Sequence, residues 1–221
     1  MPKIIHYADV YSLNSKLIKQ SDLVENEYVY QKCPAFAHKN ERVFVGTSPI
    51  DLDFSIERTD DGPLMQIEDM DKSQYIDIDD DHIHSPQPVF QLYVPKFLFW
   101  TEDDDIWIEQ NDHPMTSLNN NIVAVPAWFN LSNWSRTVSV AFTIVNEHKS
   151  VIIKKGDPLF RISFYSNNLN DNFKLKQEEY RDDYKDIVEN HLYQRREGDG
   201  YKSKLFSKTS KTGKCPFSFL F

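Results

Sequence analysis

The segment Tyr75-Ile-Asp-Ile-Asp-Asp-Asp-His-Ile-His84 concentrates the side chains best suited to chemistry in this chain. On an extended backbone Asp77, Asp79 and Asp81 share one face, and so do His82 and His84, because successive side chains point to opposite faces. Two imidazoles at that spacing can offer two nitrogens to one transition-metal ion, with a carboxylate and a third imidazole completing the set. Glu102 or Glu109 would supply the carboxylate, and His113 or His148 the imidazole. The plainer reading is an acidic, solvated strand end with incidental histidines. A Ca²⁺ site on the aspartates would need a glycine-turned loop, and the stretch has no glycine.

A second constellation joins His148 to Arg161-Ile162-Ser163. A strand-borne His followed by Arg-x-Ser resembles the 2-oxoglutarate-dependent iron oxygenases, where the Arg grips the cosubstrate carboxylate bidentately. The His82/His84 pair similarly resembles cupin-like barrels. Together these resemblances imply a metal-dependent barrel enzyme with His82, His84 and His148 on a divalent metal and with Arg161 and Ser163 binding ligand. The chain departs from both patterns: HIHSP and HPMTS carry no acid after the histidine, and no glycine frames the pair. For Arg161 the plain alternative is an exposed strand residue pairing with one of many carboxylates.

The stretch VSVAFTIVNEHKSVIIKKGDPLFRISF, with VPAWFNLSNWSR before it, resembles the late hairpin of trimeric dUTPases and dCTP deaminases. That likeness implies a nucleotide-binding or nucleotide-hydrolysing β-roll. The catalytic Asp of a Gly-containing strand motif, and the Ser/Arg phosphate turn with its Glu base, have no counterpart here, so no catalytic residue carries over. The sequence also lacks a Gly-rich phosphate loop, a Gly-x-Ser-x-Gly elbow and paired-thiolate zinc spacing.

Composition narrows the classes. A net charge of −9 argues against general duplex nucleic-acid binding by a broad basic face, which needs clustered Lys and Arg, and leaves a local basic patch open. Hydrophobic residues make up 40% and aromatics 14%, with only 6 Gly, which suits a β-rich core. No apolar run approaches the ~20 residues of a membrane span, and MPKIIHYADVYS lacks a signal-peptide core, so a soluble cytoplasmic protein is expected. The two cysteines, Cys33 and Cys215, each lie in Lys-Cys-Pro. They read as small apolar side chains in a reducing compartment, with mutual pairing or shared metal ligation as alternatives.

The elements that would position these groups follow from alternation. NEYVYQK (26–32), RVFVGT (42–47), DLDFSIER (51–58), QYIDID (74–79), PVFQLYVP (88–95), FLFW (97–100), DIWIEQ (105–110) and IVAVPAWF (122–129) read as strands between turns. Val138, Val140, Phe142 and Ile144 share a face. NEHKS then connects to VIIKK, and Lys155-Gly156-Asp157-Pro158 turns the chain again, with Gly156 free to take positive φ. This predicts a meander in which Ile162 and Phe164 face opposite to Arg161, Ser163 and Tyr165. KLKQEEYRDDYKDIVENHLYQRRE (174–197) carries Tyr180, Tyr184, Ile187 and His191 on a helical stripe without Gly or Pro, predicting an amphipathic helix. Lysines punctuate 198–221, which ends in CPFSFLF and reads as a basic-aromatic tail.

KCPAF, TSPIDLDF, VFQLYVPKFLFW, PAWFNLSNWSR and VIIKKGDPLFRISFY together resemble an uncharacterised protein family of large marine tailed phages, including cyanophages, over residues 26–165. The resemblance implies expression in the cytoplasm of an infected bacterium, with incorporation into the virion as a further option. The expectation is an all-β sandwich or distorted barrel (jelly-roll or β-clip-like) over 1–173, a helix packed on it over 174–197, and a tail over 198–221. The leading function is non-enzymatic protein binding, as a virion component or a host-directed effector. Lys214, Cys215, Phe217, Phe219, Phe221, Trp128 and Trp134 would meet the partner. The alternatives are the metal-dependent barrel enzyme and the nucleotide β-roll. No cofactor is expected under the leading reading, no membrane partner under any, and a homo-oligomer is admissible.

Overall fold

The computed structural model describes residues 2–23, 33–59, 62–78, 89–133 and 135–184. Among them the strands are β1 (Lys3–Asp9), β2 (Leu17–Lys19), β3 (Val43–Thr47), β4 (Leu52–Thr59), β5 (Gly62–Ile67), β6 (Ile76–Ile78) and β7 (Val89–Trp100). They continue with β8 (Trp107–Asp112), β9 (Ile122–Ala124), β10 (Ala127–Asn130), β11 (Arg136–Ile144), β12 (Val151–Ile153), β13 (Pro158–Tyr165) and β14 (Phe173–Glu178). Three short helices, α1 (Gln20–Leu23), α2 (Pro34–Asn40) and α3 (Pro114–Asn120), interrupt them.

The strands form three sheets, none closed into a barrel. One runs β14-β1-β7-β11-β9 with β6 also on β7; the second runs β10-β8-β13-β3-β2; the third is β12-β4-β5. The all-β, sandwich-like class expected from alternation and aromatic content is the class observed. Aromatic contacts stitch the layers together. Phe99 of the first sheet meets Phe164 of the second at 6.2 Å between ring centroids, and Phe54 of the third meets Phe90 of the first at 5.2 Å. Burying each such ring contributes about 1.5–3 kcal/mol, so these contacts fasten sheet to sheet. Gly46 of β3 is required by the same packing: a Cβ there would collide with the Phe160 ring lying over it.

β11 buries Val138, Val140, Phe142 and Ile144 as the alternation predicts. Gly156 sits at φ +94, in the region open to glycine. The predicted meander is not formed. β11 pairs with β7 and β9, β12 with β4, and β13 with β3 and β8, so three consecutive strands lie in three sheets. Alternation states which face of a strand is apolar and is silent on its neighbour.

Several elements differ from expectation for identifiable reasons. PVFQLYVP and FLFW are one twelve-residue strand, β7, carrying a cis Val94–Pro95 bond within it. IVAVPAWF splits at Pro126 into β9 and β10, since proline cannot donate to a ladder. Gln74 and Tyr75 belong to a 3₁₀ turn over Met70–Tyr75, capped by the Asp69 side chain, and only Ile76–Ile78 is strand. The helix expected from residue 174 begins instead as β14. Lys3 to Ala8 pair in parallel with Phe173 to Glu178, and a 3₁₀ turn follows at Asp182–Tyr184. The residues FKLKQE alternate with period two, and the open edge of β1 rewards that pattern over the helical one. The remainder of the expected helix, the tail and the strand at 26–32 lie outside the described residues.

Candidate functional site

The sequence-nominated groups fall in separate places. His82, His84, Trp134, Lys214, Cys215, Phe217, Phe219 and Phe221 lie outside the described residues, whereas Cys33 is exposed. His148 is exposed on the turn after β11. It lines an open cleft of about 640 Å³ with Ser55, Ile56, Glu57, Glu147, Lys149 and Ser150. Among the described residues no cluster of three His, Cys, Asp or Glu side chains is placed to hold a metal. Of the other nominated ligands Glu102 is exposed, and the remaining two are engaged inside the fold. Glu109 accepts a 2.6 Å hydrogen bond from the Tyr165 hydroxyl, and His113 is buried as the cap of α3, its Nδ1 accepting from the Met115 N–H at 3.3 Å.

Arg161 and Ser163 share the outward face of β13, as expected, but neither reaches the cleft lined by His148. The Arg161 Nε donates to the Asp112 carbonyl at 2.8 Å, and Ser163 is buried opposite Glu109. The surroundings are electrostatically uneven. Burial, reinforced by the Arg161 charge, lowers the His113 pKa to about 4. Burial likewise raises Asp112, against the opposing hydrogen bond from Ala124 and the charge of Arg161. Tyr165 is pushed up to about 12, first by burial and then by its bond to Glu109. These groups are therefore held neutral or occupied with partners inside the fold, an arrangement that orders the sheet.

A different group emerges on the second sheet. The register sets Trp107 opposite Tyr165, Glu109 opposite both Ser163 and Trp128, and Asn111 opposite Arg161. One face thus carries Trp128, Trp107, Glu109 and Tyr165 side by side, since directly paired residues project to the same side. The Trp107 and Trp128 ring centroids are 4.7 Å apart. Trp107 is 5% exposed and Trp128, on edge strand β10, is 49% exposed. The sequence signal for Trp128 was its residue type in a turn-rich stretch. Trp107 looked like an ordinary member of a strand and Glu109 like a carboxylate for a metal, and only the β8–β10 pairing brings them to Trp128.

The opposite character prevails at the corner after α3. Asn121 takes φ 63, a left-handed conformation that Asn tolerates better than most residues. Its side chain accepts from the Asn146 N–H at 2.9 Å and donates to the Asn146 and Lys149 carbonyls at 2.8 and 2.9 Å. Asn120, 3% exposed, donates to the Ile152 carbonyl and to Asp157, each at 2.8 Å.

No protein-family model matches the chain, and no curated protein sequence matches it. Solved structures with a related course of the chain include the dUTPase of Staphylococcus bacteriophage 80alpha bound to dUpNHpp. One point mutant aligns at TM-score 0.39 and 7% identity over 80% of this chain and 97% of that one, and another at 0.34 and 7% over 76% and 89%. A point mutant of the dUTPase from phage phi11 of S. aureus aligns at 0.34 and 8%, over 76% and 98%. Likeness this low passes no activity to the present chain. No helix among the described residues is long and apolar enough to cross a membrane.

Proposed function

We propose that this chain is a phage-encoded, non-enzymatic β-domain that acts in an infected bacterium by binding a protein partner. The observation that carries the reading is Trp128, half-exposed on edge strand β10 and in tilted ring contact with the buried Trp107. A rigid tryptophan with a fixed backing ring is the kind of side chain that dominates binding energy at protein interfaces. Glu109 and Tyr165, hydrogen-bonded beside it, give the apolar anchor a polar flank. The basic-aromatic tail from Lys202 to Phe221 would extend the contact.

The experiment is recovery and identification of the partner from phage-infected cells, followed by reconstitution from purified components. Trp128→Ala is expected to weaken the reconstituted complex at least tenfold while the domain stays folded. Unchanged affinity in the variant would overturn the reading. Turnover of nucleoside triphosphates with Mg²⁺ by the purified chain would replace it with the nucleotide alternative.

A further inference from the structure

The β8–β10 pairing sets an aromatic ring and a carboxylate side by side at the edge of the second sheet. Trp128 and Glu109 stand directly opposite each other in the register, so both side chains leave the same face, with Cβ atoms about 4.5–5.5 Å apart. Trp128 is half in solvent, and Glu109 is half-buried beside it. The Tyr165 hydroxyl occupies only the Oε2 atom of Glu109. Among the described residues no lysine, arginine or histidine lies within ion-pair distance of this carboxylate. The other face of β10 already shows what a ring on this strand attracts: the Arg136 guanidinium lies over Phe129, 4.9 Å from the ring centroid. Successive residues of a strand face opposite ways, so Phe129 meets a cation of this chain while Trp128 presents its ring beside Glu109.

We infer that the partner presents an arginine of a basic segment to this edge, its guanidinium lying flat on the Trp128 indole and its in-plane N–H groups reaching the Oε1 atom of Glu109. The inference rests on the protein-binding reading and names the chemistry that the partner brings to it. Tryptophan is the aromatic ring that attracts a cation most strongly. A guanidinium is flat and carries its donors in its own plane, so it can stack on the ring and hydrogen-bond to the neighbouring carboxylate at once. An ammonium is a point charge and has to favour one of the two. The chain as a whole carries a net charge of −9, which favours approach of a basic partner over an acidic one. The Tyr165 bond holds the Glu109 carboxylate in place, so little side-chain freedom remains to be lost on binding.

Heptaarginine and heptalysine carry the same charge and differ in head group, so titrating each into the full chain tests the assignment. Heptaarginine should move the Trp128 indole N–H resonance. It should also bind about tenfold more tightly than heptalysine, which forfeits either the stack or the hydrogen bond. Glu109→Gln keeps an acceptor for Tyr165 and should remove that preference. Glu57→Gln, which deletes an equal charge from an exposed position on β4, should leave it intact. A Trp128 resonance that does not move, equal affinities of the two peptides, or equal losses from the two Gln substitutions would each overturn the inference. In the reconstituted complex, binding lost with Trp128→Ala but unchanged with Glu109→Gln would overturn it as well and leave the protein-binding reading standing.

Discussion

Around Asn120 and Asn121, side-chain amides are consumed by main-chain groups of the 146–149 turn and β12 and by the Asp157 carboxylate, leaving little to offer a ligand. Around Trp128 the contact is ring on ring, and about half of the tryptophan surface still faces solvent. The first region uses directional bonds to hold a corner where three sheets meet. The second uses non-directional apolar contact, which tolerates exchange of one partner for another. The contrast is between polar side chains spent on holding the fold and an aromatic side chain left half in solvent.

The pH response of the corner offers the largest test. His113, capping α3, takes up a proton near pH 6.5 in the unfolded chain and only near pH 4 in the folded one. Between those values the unfolded state binds more protons, so stability falls as pH falls from 6.5 to about 4, by up to roughly 3 kcal/mol. Asp112, raised by burial, works in the opposite sense, so the quantity to read is the difference from His113→Asn in urea titrations. Asparagine keeps an acceptor at the cap without titrating. A difference that does not vary with pH would break the assignment.

Asn120→Ala follows, with an expected loss of roughly 2–3 kcal/mol from removing the side-chain donor to the Ile152 carbonyl and one of the two donors to the Asp157 carboxylate, the other being the Lys154 N–H. Thermal denaturation should show a fall of roughly 5–10 °C. Comparing Asn121→Ala with Asn121→Gly divides the next effect: both lose the turn's hydrogen bonds, and the alanine adds about 1 kcal/mol for its left-handed backbone. Equal melting of the two variants would mean that the backbone there relaxes. Smallest is Trp128→Ala, expected to cost about 1 kcal/mol or less, because the ring is half-exposed and an aromatic pair contributes about 0.5–1.5 kcal/mol. If it destabilises more than Asn120→Ala, the contrast between architecture and recognition fails.

Much of the fold was legible along the chain. The buried stripe of β11, the glycine turn at Gly156, and the division of β13 into an apolar and a polar face follow from alternation and turn chemistry. β1 went unread because KIIHYAD was weighed only as a leader, and its partner β14 was hidden in a stretch that also fits a helical stripe. The site was less legible. Nomination by residue type selected His148, Arg161 and Ser163, which turned out to occupy an exposed turn, a bond to a neighbouring carbonyl and a buried position. Trp128 was nominated too, without the backing from Trp107 that gives it meaning.

What the sequence by itself determined is the β class, the faces of the strands and the positions of the tight turns. These depend on side-chain period and on local backbone preferences, which act between residues close in the chain. What only the tertiary structure decided is the company each strand keeps: β11, β12 and β13 in three sheets, β14 parallel to β1, and Trp107 beneath Trp128. Those choices are made by long-range pairing and by rings such as Phe99 on Phe164, whose energies depend on segments far apart in the chain meeting in one register.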